Sequence, residues 1–89
     1  MDAKDVESEL RRRVSVKYGI QNLKAEDCVQ ISEQIFRETK NYVSQTNLQR
    51  FFKIYQPEHV NSFFVLNSLA QFLGFLDLEE FRSEVTVIE

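Results

Sequence analysis

The sequence predicts a compact all-α domain of five short helices. Two Gly and one Pro in 89 residues leave little material for hairpin turns. Apolar side chains recur at three- and four-residue spacing, and most of these runs end at a residue suited to capping or stopping a helix. With 43% hydrophobic and 28% charged residues the composition is that of an ordinary globular chain rather than a disordered one. At this size about 64% of the unfolded surface can be buried, enough for one core without staples.

The first helix is expected from about residue 3 to 18, where Val6, Leu10, Val14 and Tyr18 fall four apart on one face and Gly19 follows as the cap. A second, from about residue 25 to 39, places Cys28, Ile31 and Ile35 on one stripe, and Asn41 is expected to make the left-handed turn that ends it. The third spans residues 44 to 55: Ser44 caps it, Leu48, Phe51, Phe52 and Tyr55 form its apolar face, and Pro57 marks its end. The fourth opens near Asn61 or Ser62, buries Val65, Leu66, Leu69, Ala70, Phe72 and Leu73, and stops at Gly74. The fifth begins at Asp77, with Glu80 completing a capping box and Leu76 and Phe81 placed as a hydrophobic staple, and runs to about residue 84. Beyond it Val85-Thr86-Val87-Ile88 changes period from helix to strand, so residues 85–89 read as a linker or a tail that pairs with another chain.

The net charge of −3 conceals a sorting of charge along the chain. Residues 11 to 24 hold Arg11, Arg12, Arg13, Lys17 and Lys24 and no acid, whereas residues 1 to 10 carry a net −3 and residues 63 to 89 a net −4. A uniformly basic nucleic-acid binder is excluded; a basic face on an acidic body is not. No repeat, low-complexity tract or Gly/Ser/Pro linker divides residues 1–89, which read as one domain. No apolar run has the length of a signal sequence or a membrane span, and one Cys allows no internal disulfide, so a cytoplasmic location is expected.

From Ser32 to Phe75 the order of residues resembles the helix-turn-helix domain of the lambda-repressor-like, or XRE-type, DNA-binding family. Val43-Ser44-Gln45-Thr46-Asn47-Leu48-Gln49-Arg50 is similar to that family's turn into its recognition helix. Ser62 to Phe75, with Leu66, Leu69, Ala70, Leu73 and Gly74, resembles the helix that closes such domains. Together with Leu78-Glu79-Glu80-Phe81 it also resembles a helix-turn-helix-like module at the front of larger bacterial proteins. The chain departs from the pattern in about two extra residues between Glu38 and Ser44, about three between Leu48 and Leu66, and Phe52 where the family has a polar residue.

The resemblance implies sequence-specific binding of double-stranded DNA, in transcriptional regulation, with Gln45, Thr46, Gln49 and Arg50 at base edges. These side chains suit the task, since Gln pairs with adenine, Arg with guanine, and the Thr methyl meets that of thymine. Phosphates would fall to Ser44, Lys53, Arg12 and Arg13. The ordinary reading of the same residues is a solvated helix face, with Glu7 and Glu9 pairing intrahelically with Arg11 and Arg13. The acid-free run between Thr39 and Pro57 favours the anion-facing reading.

The alternative function is a helical protein-interaction or dimerisation module. Phe63 and Phe64 are adjacent, so one helix cannot bury both on the same face, and they are its expected partner surface. Neither metal nor other cofactor is expected, because no Cys/His cluster has ligand spacing and no Gly-rich loop can cradle a phosphate. Cys28 reads as a small core residue and His59 as a solvated turn residue, so no enzyme is expected.

Overall fold

The computed structural model describes residues 3 to 54 and 61 to 86. Its five helices are α1 (Ala3–Tyr18), α2 (Asp27–Thr39), α3 (Gln45–Phe51), α4 (Phe63–Phe72) and α5 (Leu78–Thr86). No strand occurs among the described residues. The all-α reading and the helix order are those that the spacing predicts. Tyr55, Pro57, His59 and residues 87 to 89 lie outside the described residues.

Helix α1 buries Val6, Leu10 and Val14, with Tyr18 half-buried at the end of the stripe. Gly19 follows at φ 97° and its N–H donates to the Ser15 carbonyl at 2.8 Å, the left-handed cap that the sequence placed there. Helix α2 starts at Asp27, two residues later than the periodicity suggests. The Asp27 carboxylate accepts the Lys24 N–H at 2.9 Å while the Asp27 N–H donates to the Lys24 carbonyl at 3.0 Å. That closed turn takes Ala25 and Glu26 out of the helix.

Cys28, Ile31 and Ile35 on α2 are fully buried. The Ser32 hydroxyl donates to the Val43 carbonyl at 2.6 Å and so ties α2 to the segment that leads into α3. The residue that ends α2 is Lys40, at φ 66°, not Asn41. Asn41 is used elsewhere: its side-chain amide donates to Gln71 Oε1 at 2.7 Å, joining this turn to α4.

Ser44 caps α3 as expected, accepting the Asn47 N–H at 3.1 Å. The helix ends at Phe51, earlier than the expected residue 55. Ile54 N–H donates to the Gln49 carbonyl and Lys53 N–H to the Arg50 carbonyl, a Schellman closure with Lys53 at φ 61° in the position usually held by Gly. Apolar spacing could not reveal this stop, because it is made by backbone closure around a residue type with no preference for that conformation.

Helix α4 is the centre of the core and packs against α1, α2 and α5. Val65, Leu69, Ala70 and Phe72 are buried, Leu66 and Leu73 half-buried, and Gly74 takes φ 102° at the end. At α5 the Asp77 carboxylate accepts the Glu80 N–H at 2.9 Å, but Glu80 reaches back to the Leu76 N–H rather than to that of Asp77. The expected staple is not made by Leu76, which is 78% exposed. Phe75 replaces it, its ring edge-on to Phe81 at 5.2 Å between centroids. Helix α5 then continues to Thr86 with Val85 buried, so residues 85 and 86 belong to the helix and not to a pairing tail.

Candidate nucleic-acid interface

Three consecutive arginines on a helix point in directions about 100° apart, and their environments differ accordingly. Arg11 turns toward α3. Its Nε donates to the Phe51 carbonyl at 2.7 Å, its guanidinium lies 5.1 Å from the Phe51 ring centroid, and Glu7 approaches at 3.5 Å. Burial lowers the pKa of Arg11 and the Glu7 charge opposes that shift; the group stays ionised.

Arg13 pairs with Glu9 of its own helix at 2.7 Å and turns toward α5, where it meets Glu84 at 3.6 Å and the Phe81 ring at 5.4 Å. Arg12 projects outward between them, paired with Glu9 at 2.6 Å. Hydrogen bonds from Arg12 and then Arg13 hold the Glu9 carboxyl down at about 2, well below its ordinary range. The intrahelical pairs of Glu7 with Arg11 and Glu9 with Arg13 are thus both formed. Lys17, one turn beyond Arg13, donates to the Phe72 carbonyl, pairs with Glu38 at 2.7 Å and sits 4.0 Å from the Phe72 ring centroid.

The bond from Arg11 to the end of α3 brings two acid-free stretches together, residues 10 to 25 and residues 40 to 54. An open groove of about 810 Å³ runs along the first of these, closed on one side by Phe52 of the second. It is lined by Arg11, Arg12, Ser15 and Val16 of α1, residues 19 to 23 of the following loop, and Phe52, with no carboxylate among them. The sequence places Arg11 in a pair with Glu7 and in a triplet of which at least one arginine must point inward, but it does not reveal the bond to Phe51 or this groove. The signal that could have found them was present: an acid-free run on each side, and a triplet of arginines of which only some can be paired by Glu7 and Glu9.

On α3 the side chains of Gln45 and Thr46 are exposed, Gln49 and Arg50 are half-buried, and Lys53 is exposed just past the helix. Gln49 is partly engaged, its amide donating to the Ala25 carbonyl at 3.4 Å. That contact sets α3 against the turn before α2, where exposed Glu26 stands next in the chain. Ser44 spends its hydroxyl on the cap. Gln45, Thr46, Lys53 and Arg12 thus face outward, Arg50 is half-buried, and Arg13 is turned away toward α5.

Phe63 and Phe64, at the start of α4, are 65% and 50% exposed. Burial first, with the Asp27 charge second, pushes the Cys28 thiol up to about 11, which makes it an inert core residue. No group of three or more His, Cys, Asp or Glu capable of holding a metal occurs among the described residues. No helix among them is long and apolar enough to cross a membrane. Compared with protein-family models, with curated proteins and with solved structures, the chain matches none of them.

Proposed function

We propose that this domain binds double-stranded DNA as a helix-turn-helix module, with α3 presented to the major groove. The observation that carries the reading is the groove formed by the second half of α1, the loop of residues 19 to 23 and Phe52 just past α3, whose lining holds two arginines and no acid. An acidic protein that contacts a polyanion must keep its carboxylates elsewhere, and here residues 10 to 25 and 40 to 54 hold none. In this reading Gln45, Thr46 and Arg50 address base edges, with Gln49 beside them once it leaves the Ala25 carbonyl. Lys53 and Arg12 take phosphates, and Arg13 is left out because α5 occupies it.

Selection of a duplex from a random pool, followed by titration at two salt concentrations, tests the proposal. Gln45→Ala and Arg50→Ala should each weaken binding to the selected site by about 1–3 kcal/mol and relax preference at particular base pairs. Lys53→Ala should weaken all sequences alike and lower the salt slope by about 0.9. Glu26→Gln should strengthen binding, since it removes a carboxylate next to the α3 contact. Absence of salt-dependent duplex binding at about 50 mM salt, where electrostatic affinity is greatest, ends the DNA reading. The exposed pair Phe63 and Phe64 favours the second reading, a protein-interaction module, which would then take its place.

A further inference from the structure

The inner face of α2 is fully committed to the core through Cys28, Ile31 and Ile35. Its outer face carries Gln30, Glu33, Arg37 and Glu38, as a solvated helix face would, but it also exposes large apolar side chains. Val29 and Phe36, seven residues apart and so on the same side, are 40% and 51% exposed, and Tyr42 beyond the helix end is 65% exposed. Phe36 and Tyr42 border an open hollow of about 480 Å³ together with Glu33, Arg37 and Lys40. Glu33 and Arg37, four residues apart, make no ion pair with each other or with any other described residue.

We propose that this face of α2 is a self-association surface, on which a second copy of the chain packs its own α2 antiparallel about a two-fold axis. The charge pattern selects a second copy over an unrelated partner. In an antiparallel pair centred level with residue 35, Glu33 of each copy meets Arg37 of the other, and both pairs form at once, as an isologous contact requires. Phe36 then lies one residue from the axis, so the two rings are offset by about 3 Å along the helices, close enough to stack or interlock. Lys40 of one copy faces neutral Gln30 of the other, so no like charges meet. The inference does not depend on what α3 binds.

Light scattering and sedimentation of the whole chain from about 10 µM to about 1 mM cover the range for a contact as small as two helix faces. The wild type should show a reversible monomer–dimer equilibrium. F36S should be monomeric throughout. E33R and R37E should each weaken association by about tenfold or more, because each sets like charges face to face. An equimolar mixture of E33R with R37E should associate as a heterodimer, and the double variant E33R/R37E should regain the homodimer, since both restore opposite charges at the contact. The substituted side chains are exposed, so the melting temperature of the monomer should hold; should F36S fail to fold, the charge-exchange series decides alone. A wild type that remains monomeric at about 1 mM, or a mixture that associates no better than its components, overturns the proposal.

Discussion

Replacing Arg11 by Met tests how α3 is held, with Arg12→Met as the adjacent control. Arg11 gives a charged donor to the Phe51 carbonyl at 2.7 Å and lies over the Phe51 ring. A hydrogen bond from an ionised donor contributes about 1.5–3 kcal/mol, and a partly desolvated cation–π contact about 0.5–1 kcal/mol. Against these stands the desolvation that lowers the pKa of Arg11, so the net loss on substitution should be about 2 kcal/mol. For a domain of this size that corresponds to a fall in melting temperature of about 8–16 °C. Met keeps most of the aliphatic stem, which isolates the polar contribution. Arg12 is a surface arginine whose only ion-pair partner among the described residues is Glu9, and its substitution should leave the melting curve nearly in place. Duplex affinity should reverse the ranking: Arg12→Met should lower the salt slope, whereas any effect of Arg11→Met should follow the loss of fold. Coincident melting curves for the two variants would refute the assignment of Arg11 to the fold and Arg12 to the surface.

Ser68 is fully buried and its hydroxyl has no hydrogen-bond partner, so Ser68→Ala should stabilise the domain by about 1 kcal/mol in chemical denaturation; a loss of stability would mean that the hydroxyl is satisfied. Lys53→Gly should relieve the left-handed backbone at φ 61°, a gain of about 0.5 kcal/mol once the greater freedom of unfolded Gly is subtracted, while weakening duplex binding through the lost charge. Stability and binding moving in the same direction would contradict that separation. Glu9 is held at about 2 in the folded chain against an ordinary 4.5, so its contribution is complete above about pH 4.5 and is lost as the pH falls toward 2. Glu9→Gln should therefore flatten the acid limb of the stability curve in that window, by an amount reduced by solvent; an unchanged limb would argue against the Arg12 and Arg13 pairing.

The sequence disclosed most where the physics is local. The i+4 stripe of Val6, Leu10 and Val14, the hydroxyl caps at Ser44 and Ser62, and Gly19 and Gly74 as helix stops are consequences of near neighbours, and each is in place. It disclosed least where the outcome depends on partners distant in the chain. Asn41 was the natural left-handed residue, yet its amide is taken by Gln71, thirty residues away, and Lys40 makes the turn. The staple passed from Leu76 to Phe75 because only the latter reaches Phe81. Of the candidate site, the outward residues of α3 were legible from polarity and the absence of acids. The divergence of Arg11, Arg12 and Arg13 was legible only as a geometric necessity, because which arginine faces α3 depends on where α3 packs.

The attachments of α3 and α4 differ in kind. Helix α4 is gripped by three neighbours, whereas α3 is two turns long and rests chiefly on α2, with Arg11 as a strap across its far end. Residues 44 to 54 can therefore open as a unit at a fraction of the free energy needed to unfold the whole domain. Amide protons in α4 should exchange with solvent only through global unfolding, and those of α3 earlier, through this partial opening. A ligand that engages α3 would slow its exchange selectively, so protection factors across residues 45 to 51 would report occupancy even where the rest of the domain is unchanged.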